Sequence, residues 1–361
     1  MIIPTSLIWI VTSYKTSIKT ILKYWDGPNY IYAAITLYRI PEDYPWKRYF
    51  NYDPSYFACH LPGYPMLIRI CSFICFGNYV YGAFLSILVS NILLSYSFRR
   101  LLIVFRCVKD PTWSTFVLSL IPFRLVIYHS VLASEPLFIT FICLSFIFYK
   151  FDRISTMIFF IWCGCFTRIE GMAVGFIIGI CFLIRFDILR AILMFSTFVP
   201  DLFLVWFHKI MFNDPLAYIH FNSGNQKILS LYMFYDIFIT SRYGSELITS
   251  HVSTIYLLGL IGVFYLLPSA SPLSFFSGFF YLYVSQLRHL DTGRYFIPCS
   301  VFSLVAGFDS IFGNFRGKLI SLIAYPVFIS FLVWYAVAQI PSNLCTDEFF
   351  DEVINARKNY L

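Results

Sequence analysis

Charge is what this sequence has least of. Only 12% of its 361 residues are Asp, Glu, Lys or Arg, about half the share that keeps a soluble domain's surface wet, which excludes a water-soluble globular protein. Asn-x-Ser/Thr sequences are absent altogether, so no glycosylation site marks a luminal face. Metal-ligand spacing is missing as well. Of the ten cysteines, Cys71, Cys75, Cys143, Cys163, Cys165 and Cys181 lie inside apolar runs, where Cys acts as a small hydrophobe. Cys163 and Cys165 are two apart with no neighbouring His, the wrong spacing for a zinc or redox pair. Neither a disulfide framework nor a metal centre is expected. The net charge of +7 is modest, and no nucleic-acid partner is expected.

What fills the space is apolar and aromatic. Hydrophobic residues make up 59% and aromatic residues 21%, with 42 Phe and 27 Tyr, a composition that suits lipid-facing and interfacial belts. The sequence therefore predicts an all-α polytopic membrane protein. Spanning helices need roughly 20 mainly apolar residues, and about eleven segments qualify: 2–22, 78–98, 112–129, 134–149, 155–166, 171–184, 191–211, 252–267, 272–286, 295–312 and 319–340. Residues 1–340 are expected to form one membrane domain, with 341–361 as a short polar tail. Lys15 and Lys19 interrupt the first segment, and the fifth and sixth are short.

Basic residues collect in alternate loops: Arg99, Arg100, Arg106 and Lys109; Lys150 and Arg153; Arg185 and Arg190; Arg316 and Lys318. Short loops rich in Lys and Arg stay cytoplasmic. The long loops 23–77 and 212–251, and the tail, then fall on the luminal side. Isolated acids and arginines also concentrate there, and loops on a rigid scaffold are where sites are usually found.

Four luminal stretches carry the candidate chemistry. In "YWDGPNY", Trp25 and Asp26 follow the first segment. The Asp26 carboxylate is placed to take a proton from an attacking hydroxyl, although Asp-Gly-Pro also reads as a turn or helix cap. In "RHLDTGRYFIP", Arg288, His289, Asp291 and Arg294 precede a helix, as suits a phosphate site or an Arg–Asp cap. "SEPLF" reads first as a helix start, with Ser134 as cap and Glu135 in the first turn. "TRIEG" puts Arg168 and Glu170 between two short segments, where they either pair with each other or line a cavity. Ahead of the second segment, "HLPGYPMLIR" contributes His60, Pro62, Gly63 and Pro65, residues that pre-set a loop and a surface-lying helix roofing a cavity.

In this order, "YWDGPNY", "HLPGYPMLIR", "SEPLF", "TRIEG", "NDPLAYIHFN" and "GRYFIP" resemble the polytopic glycosyltransferases of the GT-C class, and most closely the GPI mannosyltransferase 2 family. The likeness runs from about Trp25 to Pro298. It implies a GT-C-like fold with a long first luminal loop carrying surface-lying helices, an endoplasmic reticulum membrane location, dolichyl-phosphate-mannose as donor and a glycolipid acceptor. It also implies contact with membrane lipid and a possible small membrane partner subunit. No cofactor is implied, since arginines can handle a phosphate leaving group. The acid in the first luminal loop is the usual base of such families, and by position that is Asp26. Relatives often carry a second acid, for which Asp53 is the candidate here. Trp25, His60, Arg168, Glu170, Arg288, His289 and Arg294 are expected to bind substrate. Two rival readings remain: a transporter or lipid scramblase, and a GT-C enzyme acting on protein or on another lipid.

Overall fold

The computed structural model describes residues 1–225, 246–285 and 292–356. Among them every regular element is a helix and no strand forms; one isolated bridge pairs Tyr24 with Leu344. The expected all-α class therefore holds. The expected number of spans does not. Helices occupy all eleven segments, yet among the described residues three, not eleven, are long and apolar enough to cross a membrane by length and composition: Tyr79–Phe105, Ile188–Phe212 and Phe315–Ser342.

Local chemistry explains the shortfall. The first helix stops at Lys15 and resumes only as the turn Thr20–Lys23. Segment 112–129 breaks between Leu118 and Phe123, where Pro122 has no amide to donate. Met172–Ile184 has 13 residues, about 20 Å of helix against a hydrocarbon thickness of about 30 Å. Apolar composition marked these segments correctly as helical but overstated how far each one runs unbroken.

The Glu135–Lys150 helix is the hub, packing against both Tyr79–Phe105 and Ile154–Thr167. Its two ends differ in character. At the Lys150 end the basic loops meet: Lys318 Nζ reaches Asp110 at 2.5 Å, Arg190 Nη1 reaches Asp152 at 2.6 Å, and the Lys109 amide donates to Asp309 at 3.0 Å. At the Glu135 end lie the first long loop and the candidate site. Gly63 fixes one seam there. A Cβ on it would stand 2.6 Å from Thr167 Oγ1 and 2.8 Å from the Phe166 carbonyl, so only glycine lets the Gly63–Ile74 helix start against the end of Ile154–Thr167.

The C-terminal segment departs from the expected polar tail. Asp347–Asn355 is an amphipathic helix capped by Thr346, whose hydroxyl accepts from the Phe349 amide, and it buries Phe349, Phe350 and Val353. The Phe349 ring lies 4.8 Å from that of Trp46 and 5.3 Å from those of Tyr49 and Phe50. Lys23 bonds Asp347 at 2.8 Å and Arg48 bonds Glu352 at 2.6 Å. Tail and first loop thus share one end of the molecule. From Trp46 the ring contacts continue to Phe57 at 4.9 Å and on to His60 at 6.2 Å.

If buried aromatic area holds this helix down, Phe349→Ala should cost about 3–5 kcal/mol of local stability and speed trypsin cleavage at Lys47 and Arg48. Glu352→Gln removes only an exposed pair worth about 0–1 kcal/mol and should leave the cleavage rate nearly unchanged. Equal rates in the two variants would assign the attachment to charge instead.

Candidate active site

Trp25 sits at φ 45°, in the left-handed region that large residues rarely adopt. The chain turns there, and the Gly27–Thr36 helix begins with Pro28 in its first turn. The turn expected of Asp-Gly-Pro is real, but the expected capping is not: Asp26 occupies the N-cap position and makes no side-chain cap bond. Its carboxylate points elsewhere. Oδ2 accepts from Arg294 Nη1 at 2.8 Å and Oδ1 lies 3.4 Å from His60 Nε2. Asn29 supports the ring, its Nδ2 lying 2.9 Å from His60 Nε2 and 2.9 Å from Tyr56 Oη.

Arg294 comes from the Thr292–Tyr295 turn, far along the chain from Asp26. Its Nε donates to Glu135 Oε1, and its guanidinium lies 4.7 Å from the centre of the Tyr128 ring. The same Glu135 oxygen accepts from Arg168 Nη1 at 2.8 Å, and Arg168 Nη2 reaches Glu170 at 3.1 Å. Five charged side chains therefore form one chain, in the order Asp26, Arg294, Glu135, Arg168, Glu170. Glu135 is fully buried and joins the two arginines. Ser134 makes no cap bond to the helix; its hydroxyl accepts from Tyr30 Oη at 3.2 Å. The helix-start reading of "SEPLF" holds, since the helix opens at Glu135 behind Ser134 with Pro136 in its first turn, but the Glu135 carboxylate serves two guanidiniums rather than the helix end.

Beside this charge chain lies a cavity of about 230 Å³, below the roughly 300–1,000 Å³ of sites for drug-sized ligands. Asp26, His60, Arg168, Glu170 and Arg294 line it together with Trp25. Aromatic walls come from Tyr30, Tyr56, Tyr283 and Tyr295. The "NDPLAYIHFN" stretch supplies the Ala217–Asn225 helix, which adds Tyr218, Phe221 and Asn222 to the lining. For Arg168 and Glu170, pairing and cavity lining turn out to be compatible.

Burial raises the Asp26 carboxyl, but Arg294 and His60 beside it outweigh that and hold it well below the usual carboxylate range. Burial likewise works against the charge on Arg294, and Glu135 with Asp26 overcomes it, pushing Arg294 further up. Arg168 is pushed up as well, with Glu170 and Glu135 outweighing its desolvation. All three therefore stay ionised near neutrality.

Asp53 does not join them. It is exposed, accepts from the Ser55 amide at 2.9 Å and caps the Pro54–Cys59 turn, which corrects its assignment as a second acid: its carboxylate is committed to the turn that presents Tyr56 and Cys59. Arg288 and His289 lie outside the described residues. Three contributors escaped sequence reasoning. Tyr30 and Tyr56 look like generic membrane aromatics, and Glu135 like a helix start. The signal available for Glu135 was its place in an apolar run, where a lone carboxylate needs a cation.

The sequence matches no protein-family model and no curated protein.

Removing the shared carboxylate should be the most damaging single change at this site. Glu135→Gln leaves two buried guanidiniums short of a partner, and breaking such a pair costs about 3–5 kcal/mol. Thermal unfolding of detergent-purified protein should show a much larger drop for Glu135→Gln than for Asp53→Asn, which alters one exposed cap. The pH dependence has a definite sign. A carboxyl with a depressed folded pKa, such as Asp26, gives its full contribution above its unfolded pKa of about 4 and loses it as pH falls further. Wild type should therefore lose more stability than Asp26→Asn on going from pH 5 to pH 3; parallel losses would show that Asp26 is not held ionised by its neighbours.

Proposed function

We propose that this chain is a polytopic GT-C-type glycosyltransferase of the endoplasmic reticulum membrane with its site facing the lumen. In this reading it moves mannose from dolichyl-phosphate-mannose to a lipid-linked glycan, most closely as a GPI mannosyltransferase 2. One observation carries the reading: Asp26 and Arg294, the acid and the cation that a glycosyl transfer from a lipid phosphate needs, come from opposite ends of the sequence into one small aromatic-walled cavity. The order of motifs along the chain supports the family.

Transfer would proceed by single displacement. The acceptor hydroxyl attacks the anomeric carbon, the bond from that carbon to the phosphate oxygen breaks, and the phosphate leaves with the bonding pair toward Arg294. The hydroxyl proton passes to Asp26 late, once attack has made it acidic. Aromatic walls suit the apolar faces of a sugar ring. Holding both substrates in register supplies the largest share of the rate, and stabilising the departing phosphate the next. Such a reaction needs no divalent ion, and in this reading the remaining short helices would lie with the three longer ones in a GT-C-like bundle of about eleven segments.

A transporter reading draws on the break at Ile169–Gly171 between two apolar helices, with ionisable residues beside it. Both readings meet in one assay. In microsomes supplied with labelled dolichyl-phosphate-mannose, wild type should transfer mannose to a glycosylphosphatidylinositol precursor, and Asp26→Asn should lose at least ~100-fold of that rate while retaining its folded yield. Full activity in the variant would remove Asp26 as base. Movement of an intact lipid across the bilayer, without transfer, would favour the transporter.

A further inference from the structure

The charge balance of the site raises a difficulty for any phosphate-bearing substrate. Among the described residues the cluster holds three carboxylates, Asp26, Glu135 and Glu170, against two guanidiniums, Arg168 and Arg294. These five side chains sum to one negative charge. A phosphate entering this cavity meets arginines that already have carboxylate partners, and in a site with little water an extra anion is strongly disfavoured unless it replaces one.

The geometry indicates which partner is replaceable. Glu135 is fully buried, bridges two arginines through one oxygen and lies outside the cavity lining. Glu170 bonds Arg168, not Arg294. Asp26 alone combines a bond to Arg294 with a place on the cavity wall, and its side chain is 17% exposed against 0% for Glu135. Arg294 thus offers Nε to a fixed inner carboxylate and Nη1 to an outer one that an incoming anion can reach.

We propose that Asp26 and the phosphate of a polyprenyl-phosphate ligand compete for the outer face of Arg294, so that the carboxylate is released to act as a base only while phosphate occupies the site. This rests on the transferase reading above and adds to it an order of events. At rest the acid is paired and a poor proton acceptor. Bound phosphate takes the Arg294 donor, removes the influence that holds Asp26 acidic and adds a negative charge beside it. Both changes raise the basicity of Asp26 at the moment the leaving group is in place. A site built this way does not activate a hydroxyl in the absence of its donor.

The competition makes a prediction opposite to that for an acid that merely stands near the phosphate. Binding of polyprenyl phosphate to purified wild type, Asp26→Asn and Arg294→Gln, reconstituted in phosphatidylcholine vesicles, should show Asp26→Asn binding on the order of tenfold more tightly than wild type, the scale of one charge-assisted hydrogen bond. Arg294→Gln should bind far more weakly. A second measurement needs no variant fold: infrared difference spectra of wild type labelled with ¹³C-aspartate should show a carboxylate band shift on adding polyprenyl phosphate, and none with uncharged polyprenol. Inorganic phosphate separates the sources of the ligand. Weak binding of it beside strong binding of the lipid supports the lipid phosphate, while equal binding points to a free anion and overturns the lipid assignment. Equal or weaker affinity in folded Asp26→Asn, together with an unshifted carboxylate band, sinks the competition and leaves the transferase reading standing. No saturable binding of polyprenyl phosphate to wild type sinks both.

Discussion

The working end of this protein depends on one buried carboxylate. Glu135 opens the central helix and accepts from Arg168 on one side and Arg294 on the other, through the same oxygen. Isolated charges are costly in an apolar interior, by several kcal/mol per ion even after relaxation. Mutual pairing offsets that cost only when the geometry is good. The consequence is a strong positional constraint: the Ile154–Thr167 helix end, the Glu135–Lys150 helix start and the Thr292–Tyr295 turn must meet at one point. A hydrophobic replacement of the cluster would remove the desolvation cost and lose that register.

Around this point the first long loop is held from both sides. Gly63 seats it against Thr167, and the C-terminal helix seats it from outside through Phe349 and Trp46. His60 therefore receives its position from several elements at once. Its ring lies 5.1 Å from Tyr56 and 5.5 Å from Tyr30, and Asn29 bonds its Nε2 side, which faces Asp26. Side chains fixed this way lose little freedom when a ligand arrives, which favours sites built on packed elements over sites on free loops.

Much of this was legible in the sequence, and the failures have physical causes. Apolar composition gave the helical class, and alternating basic loops gave a common end, where Lys318 with Asp110 and Arg190 with Asp152 do meet. Asp26, His60, Arg168, Glu170 and Arg294 were each singled out and prove to share one cavity. Hydropathy did not show helix continuity, because Pro122 and the lysines at 15 and 19 act on backbone bonds and solvation rather than on average polarity. Asp53 looked equivalent to Asp26 by residue type. Only the fold reveals that one caps an exposed turn while the other faces an arginine 268 positions away. The tail looked polar because Asp347, Glu348, Asp351 and Glu352 crowd into six positions; what decides its fate is that Phe349, Phe350 and Val353 are buried together by one helix.

The order of charges along the cluster matters more than their number. Starting from Glu170, signs alternate through Arg168, Glu135 and Arg294 to Asp26, so each inner member has opposite charges on both sides, while each end carboxylate holds one guanidinium and Asp26 has the His60 ring beside it as well. Both ends, Glu170 and Asp26, are carboxylates, and both line the cavity. An alternating chain terminated by acids sets those carboxylates on the cavity wall beside the guanidiniums they hold. In the proposed transfer, chemistry at such a surface would fall to the terminal acids first and to the arginines only after a terminal acid has moved. The proposed exchange of partners needs that ordering, whereas a buried ion network built for stability alone would close its ends as well.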